Sequence, residues 1–102
     1  MKVRWTSWLV LLPVALSSTG CGAVLYTANV APASSSVEQA RLAEAETRAP
    51  YEYYLAQAYL EKAREEAAEA NYQDAIRFAE ASEQNATRAI ELARRNMRET
   101  GR

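Results

Sequence analysis

The stretch PYEYYLAQAYLEKAREEAAEANYQDAIRFAEASEQNATRAIELAR, from Pro50 to Arg94, decides the fold. In its first half Tyr53, Ala56, Leu60, Ala63, Ala67 and Ala70 recur at spacings of 3, 4, 3, 4 and 3. In its second half Ala75, Ala79, Ser82, Ala86, Ala89 and Ala93 alternate spacings of 4 and 3, flanked by Ile76, Ile90 and Met97. Each series occupies one face of a helix. The two stripes are separated by Asn71 and Tyr72, so the sequence predicts an antiparallel helical hairpin. Its seam consists almost wholly of small residues, which lets two backbones approach closely but buries few large side chains. At roughly 25 cal/mol per Å² of apolar area removed from water, such a seam gives a marginal domain. Another helix, or a second copy of the chain, has to cover it.

Upstream, Ser35 and Glu38 have capping-box spacing, so a first helix is expected to start near Ser36 or Val37. It should stop before Pro50, because proline removes a donor and disfavours helical geometry in the residue before it. Proline suits the first turn of a helix, so the second helix is expected to open at Pro50, with a single kinked helix through this point as the alternative. Arg94, Arg95 and Arg98 complement the dipole at the end of the last helix, Glu91, Arg95 and Glu99 stand four apart, and Gly101 is the expected stop. The expected fold is therefore all-α, two to three helices over residues 37–102.

The 102-residue chain has room for one small domain. Its 12 basic and 13 acidic residues are too balanced for a nucleic-acid footprint. It contains no histidine and one cysteine, so the usual zinc, Cys/His and Ser/His/Asp sites cannot be assembled. No enzyme activity, metal or cofactor is expected.

Residues 1–20 have the layout of a secretory signal peptide: Lys2 and Arg4, an apolar segment from Trp5 to Leu16, then Ser17, Ser18, Thr19 and Gly20. The alternative is an uncleaved signal anchor, since no charged residue occurs from Trp5 to Val37. The stretch SSTGC, ending at Cys21, resembles a bacterial lipobox, with Ser18 where leucine is usual. That resemblance implies cleavage before Cys21, a diacylglyceryl thioether on its sulfur and acylation of its new amino group. It explains the lone cysteine and implies a membrane as first partner. Two acyl chains already give stable anchoring, at about 0.8 kcal/mol per buried methylene. Gly22 after the cysteine resembles the pattern of lipoproteins sent to the outer membrane, so the expected location is the cell envelope, facing the periplasm. Residues 21–36, with Pro32 and the Ser34 to Ser36 run, read as a flexible tether.

The helical part, from about Val37 to Arg95, resembles the bacterial lipoprotein family called domain of unknown function 4398. The resemblance rests on Pro50 with Tyr51, Tyr53 and Tyr54, on AYLEKAREEA from Ala58 to Ala67, and on NYQDAIRFAE from Asn71 to Glu80. It implies a fold and an envelope location, without an activity. The NYQDAIRFA turn is also similar to the second half of a tetratricopeptide repeat, with Ala70 where that repeat prefers glycine. A single hairpin is tetratricopeptide-like without being an array, which needs about three units.

Tyr51, Tyr53, Tyr54 and Tyr59 cluster at the opening of the second helix. They either pack the first helix across the open end of the seam or form an aromatic docking surface for a protein or for cell-wall glycan. Glu61, Glu65, Glu66 and Glu69 read as a solvated acidic face, because helical di-metal sites add a histidine. The sequence thus predicts a lipid-anchored envelope protein with a structural or interaction role, including self-association. The alternative is accessory glycan binding.

Overall fold

A computed structural model describes residues 21–101. Among them every regular element is a helix: α1 spans Cys21–Leu42, α2 Ala45–Arg48, α3 Pro50–Ala68 and α4 Tyr72–Thr100. The signal peptide expected over residues 1–20 lies outside the described residues.

The expected hairpin is present as α3 and α4. Ser82 Oγ donates a 2.7 Å hydrogen bond to the Ala56 carbonyl across the seam, and Asn96 Nδ2 donates at 2.7 Å to the Arg48 carbonyl at one end. All six stripe residues of α4 are buried. On α3 Tyr53, Ala56, Leu60 and Ala63 are buried, while Ala67 is half-buried and Ala70 lies beyond the helix. Ser82, the one polar stripe residue, is fully buried and avoids the cost of an unmade hydrogen bond by donating to α3.

The turn between them follows from local hydrogen bonding. Asn71 N donates to Glu66 O at 2.8 Å and Ala70 N to Ala67 O at 3.0 Å, the 6→1 and 5→2 bonds of a Schellman ending. That ending needs a left-handed residue, and Ala70 supplies it with φ of 63°.

The first helix requires a correction. A flexible tether over residues 21–36 was the expectation, with the helix starting near Ser36; α1 instead begins at Cys21 and runs through Pro32. Two physical reasons are visible. Gly22, Tyr26, Val30, Ala33, Val37 and Ala40 form a continuous helical stripe, and Ala33, Val37 and Ala40 are buried in the common core with Val30 and Tyr26 packed against it. Pro32 and Ala28 are both exposed, so the Ala28 carbonyl that proline leaves without a helical donor is open to water rather than stranded in the interior. The helix therefore docks and supplies the cover that the alanine seam needs.

The direction of α1 follows from its two ends. At its start a Cβ on Gly22 would lie 2.9 Å from Cδ2 of Tyr72, and the Tyr26 and Tyr72 rings are 6.4 Å apart. At its finish Gln39, Leu42 and Ala43 line one groove with Arg94 and Met97. Thus α1 runs parallel to α4 and antiparallel to α3, and Arg64 Nη2 reaches Ser34 Oγ at 3.3 Å between α1 and α3. The result is an up-down-up bundle in which α4 packs against both other long helices.

The connection from α1 to α3 also differs from one helix ending before Pro50. Ala43 and Glu44 interrupt it, with Glu44 at φ of 60°, and α2 adds a single turn. Ala45 and Ala49 are buried, so this corner closes the top of the core. Pro50 opens α3 as expected, and the preceding Ala49 is non-helical at φ of −145°.

Candidate anchor and interaction surfaces

The bundle has two chemically distinct ends. Cys21 is exposed at the start of α1, beside the α3–α4 turn. The opposite end holds the α2 corner, the start of α3 and the finish of α4. The 22 residues of α1 separate the two by about 33 Å, at 1.5 Å per residue.

The large apolar side chains that remain exposed sit at these ends. Val24 and Leu25 follow Cys21 within about one turn, while Leu42, Tyr51, Tyr54 and Met97 surround the far end. Between them the stripes of α1, α3 and α4 turn their apolar residues inward. Isolated exposed apolar residues are ordinary, but a segregation to two ends is informative about where surfaces are covered.

The four tyrosines singled out in the sequence are not exposed together. Tyr53 is buried in the core, where its hydroxyl accepts a 2.9 Å hydrogen bond from Gln57 Nε2. Tyr59 is half-buried and stacks on Phe78 of α4 with ring centroids 6.1 Å apart. Tyr51 and Tyr54 remain exposed, 73% and 51% respectively, and their three-residue spacing puts them on one helix face. Tyr54 packs edge-on against Tyr53 at 5.3 Å and donates its hydroxyl at 3.0 Å to Glu46 Oε1. That hydrogen bond to a carboxylate, with the nearby negative charge of Glu46, raises the Tyr54 pKa above its ordinary value. Of the four tyrosines only Tyr51 and Tyr54 are therefore exposed, with Leu42 and Met97 exposed at the same end.

Sequence reasoning missed Leu42, Met97, Val24 and Leu25 as surface features. In the sequence Met97 flanks the α4 stripe, and Val24 and Leu25 fall within the expected tether. The signal for the pair at the start of α1 was available: with Tyr26 and Val30 assigned to the buried stripe, Val24 and Leu25 fall on the other side of the helix.

The polar surface between the ends is held by local ion pairs. Arg41 grips Glu38 with two hydrogen bonds, at 2.6 Å and 3.0 Å, and these hold the Glu38 carboxyl below its ordinary pKa. Lys62 reaches Glu65 at 3.3 Å and Glu66 at 3.0 Å. Glu66 also accepts a hydrogen bond from Asn71 Nδ2 at 3.0 Å, and this bond first, then Lys62, lowers its pKa. Glu65 and Glu66 of α3 thus serve the helix and its ending. An open groove of about 560 Å³ between α1 and α3 is lined by Ser34, Glu38, Gln57, Glu61 and Arg64 around Val37 and Leu60. Among the described residues no group of three or more His, Cys, Asp or Glu could hold a metal ion, and no helix is long and apolar enough to cross a membrane.

A family model described as Domain of unknown function (DUF4398) matches residues 28–101. No curated protein and no solved structure matches the chain.

Proposed function

The chain belongs to the DUF4398 family, a description without an activity, and from its surface chemistry we propose that it is a small lipid-anchored envelope protein with a structural or protein-interaction role and no catalysis. Cys21 carries the lipid, and the helical body faces the periplasm from the outer membrane. The far end of the bundle meets a protein partner or a second copy of the chain.

The observation that carries this reading is the segregation of exposed apolar side chains to the two ends, Val24 and Leu25 beside Cys21 and Leu42, Tyr51, Tyr54 and Met97 opposite. One end suits an anchor, the other a partner. Without residues 1–20 the chain has 10 basic against 13 acidic residues, so no basic footprint favours nucleic acid. Exposed Tyr51 and Tyr54, three apart on one face, favour a second reading in which the far end grips cell-wall glycan.

Two measurements test the proposal. Intact mass of the membrane-extracted protein should match residues 21–102 plus acyl chains, and should shift to an unprocessed precursor with an inhibitor of signal peptidase II. An unmodified mass including Met1 would replace the lipid by a signal anchor. A photocrosslinker at position 51 or 97 should recover one dominant protein or the chain itself. Recovery of neither, together with wall binding abolished by Tyr51→Ala/Tyr54→Ala, would move the assignment to glycan.

A further inference from the structure

The tether expected between anchor and body is absent from the structure: α1 is helical from Cys21 itself and packed on Tyr72 from Gly22 onward. A lipid on Cys21 would then have no slack, and the end of the bundle would meet the bilayer directly. We propose that this end is a membrane-contacting surface, with Val24 and Leu25 seated in the interfacial layer and the Tyr26–Tyr72 pair at its edge, so that the bundle stands on the membrane. This inference rests on the lipid-anchored reading given above.

Four observations converge on a lipid surface as the occupant. Val24 and Leu25 are exposed by 69% and 56%, and they lie within about 6 Å of Cys21 along the helix axis. Amphipathic segments bury their apolar side by about 5–10 Å at the headgroup boundary, so this depth covers both side chains. The half-buried Tyr26 and Tyr72 rings, 6.4 Å apart, follow immediately above, and tyrosine favours the level where an apolar ring meets a wet hydroxyl.

The polar side chains of the same turns are turned inward to the helix. Thr27 Oγ1 donates to the Ala23 carbonyl at 2.9 Å and Asn29 Nδ2 to the Leu25 carbonyl at 2.8 Å. Such back-bonding satisfies the side chains without water. The sequence adds a fourth observation. Residues 21–37 carry no charge, and the apolar run from Trp5 to Leu16 lies just upstream of Cys21. Whether that run is replaced by a lipid on Cys21 or kept as an anchor, the membrane is at this end of α1. A second copy of the chain would not account for that continuity. Val24, Leu25, Tyr26 and Tyr72 carry no charge, so the contact they make is apolar in origin and does not require anionic lipid.

The test uses the full-length protein, processed in cells, extracted and reconstituted into phosphatidylethanolamine/phosphatidylcholine vesicles. An environment-sensitive fluorophore is placed at Val24→Cys and, separately, at Leu42→Cys, and lipids brominated near the headgroup are added as quenchers. The expected result is a blue-shifted emission and strong quenching at position 24, with neither at position 42. Replacing Leu25 by serine should weaken the quenching at position 24. Equal, unquenched emission at both positions would overturn the inference. Energy transfer between copies at position 24, unaffected by brominated lipid, would also overturn it and assign the surface to self-association. Intact mass of the same samples reports the anchor independently. Acylated protein without quenching refutes the contact alone, whereas protein that retains Met1 and lacks acyl chains refutes the lipid reading; because its Cys21 thiol would then also take the label, the same two positions labelled on a Cys21→Ser background decide the contact in that case.

Discussion

Replacing Ala70 by glycine should stabilise the protein. Ala70 sits in the left-handed region at φ of 63°, where it closes α3 through the Asn71 N to Glu66 O bond of 2.8 Å. A left-handed residue with a Cβ costs roughly 1–2 kcal/mol, which glycine does not incur. Against this, glycine increases the freedom of the unfolded chain by roughly 0.4–1 kcal/mol. The Ala70 side chain is exposed and is not part of the core cluster, so little packing is lost. The net expectation is a gain of about 0.5–1 kcal/mol, measured as a shift of the urea midpoint by far-ultraviolet circular dichroism at unchanged slope. For a domain of this size 1 kcal/mol corresponds to roughly 4–8 °C in melting temperature. Glu44, at φ of 60°, makes a less clean test because its carboxylate also holds Arg48 at 3.0 Å. A neutral or destabilising Ala70→Gly would refute the reasoning, since it would mean that position 70 is not left-handed in solution and that the hairpin turns differently.

Other expectations follow from single contacts. Ser82→Ala removes the buried 2.7 Å hydrogen bond to Ala56 and should cost about 1 kcal/mol in urea unfolding, while the Ala56 carbonyl keeps its own helical partner. Pro32→Ala should stabilise α1 by about 1–2 kcal/mol, less than the full helix-interior penalty of roughly 3 kcal/mol because proline also restricts the unfolded chain. No change on thermal melting would argue against a continuous helix through residue 32. Asn71→Ala should raise the Glu66 pKa toward its ordinary value, read by carbon-detected titration of the carboxyl. Because that pKa is lowered in the folded protein, the bond's contribution is present above the ordinary glutamate value and is lost as pH falls through the lowered one. The variant should therefore show a smaller loss of stability on acidification below about pH 4.5.

The hairpin was legible because small residues at alternating 3 and 4 spacings leave no other periodicity to read. The start of α3 was legible too, since the residue before Pro50 avoids helical geometry for steric reasons that need no tertiary context. The beginning of α1 was not. Pro32 and the Ser34 to Ser36 run carry local signals for coil, and they outweighed the stripe of Tyr26, Val30, Ala33, Val37 and Ala40. Burial of that stripe against α4 decides the outcome, and burial is a tertiary quantity. The break at Ala43 and Glu44 had no signal at all, because glutamate in a left-handed conformation is not a turn signature.

The candidate surfaces show the same division. Tyr53 belonged to the α3 stripe in the sequence, so its burial could be read from spacing, and Tyr51 and Tyr54 then had to point elsewhere. The stacking of Tyr59 on Phe78 depends on how α3 and α4 meet, which spacing does not give. Cys21 carries a signal that is chemical rather than structural, and its position at the first turn of α1 gives the proposed anchor a geometric meaning that the sequence lacked. If Cys21 is anchored as proposed, a docked helix of about 33 Å would set one height above the bilayer for Leu42, Tyr51, Tyr54 and Met97, whereas a tethered body would sample many.

The most direct test of that account is amide hydrogen exchange across residues 26–40 in the membrane-extracted protein. Docking of α1 predicts that the amides from Val30 to Ala40 are protected to a degree comparable with Ala79 to Ala93 of α4, Pro32 having no amide proton. Exchange of residues 26–36 at the rate of an unstructured chain, beside a protected α3–α4 hairpin, would contradict it and restore a coil between Cys21 and the hairpin.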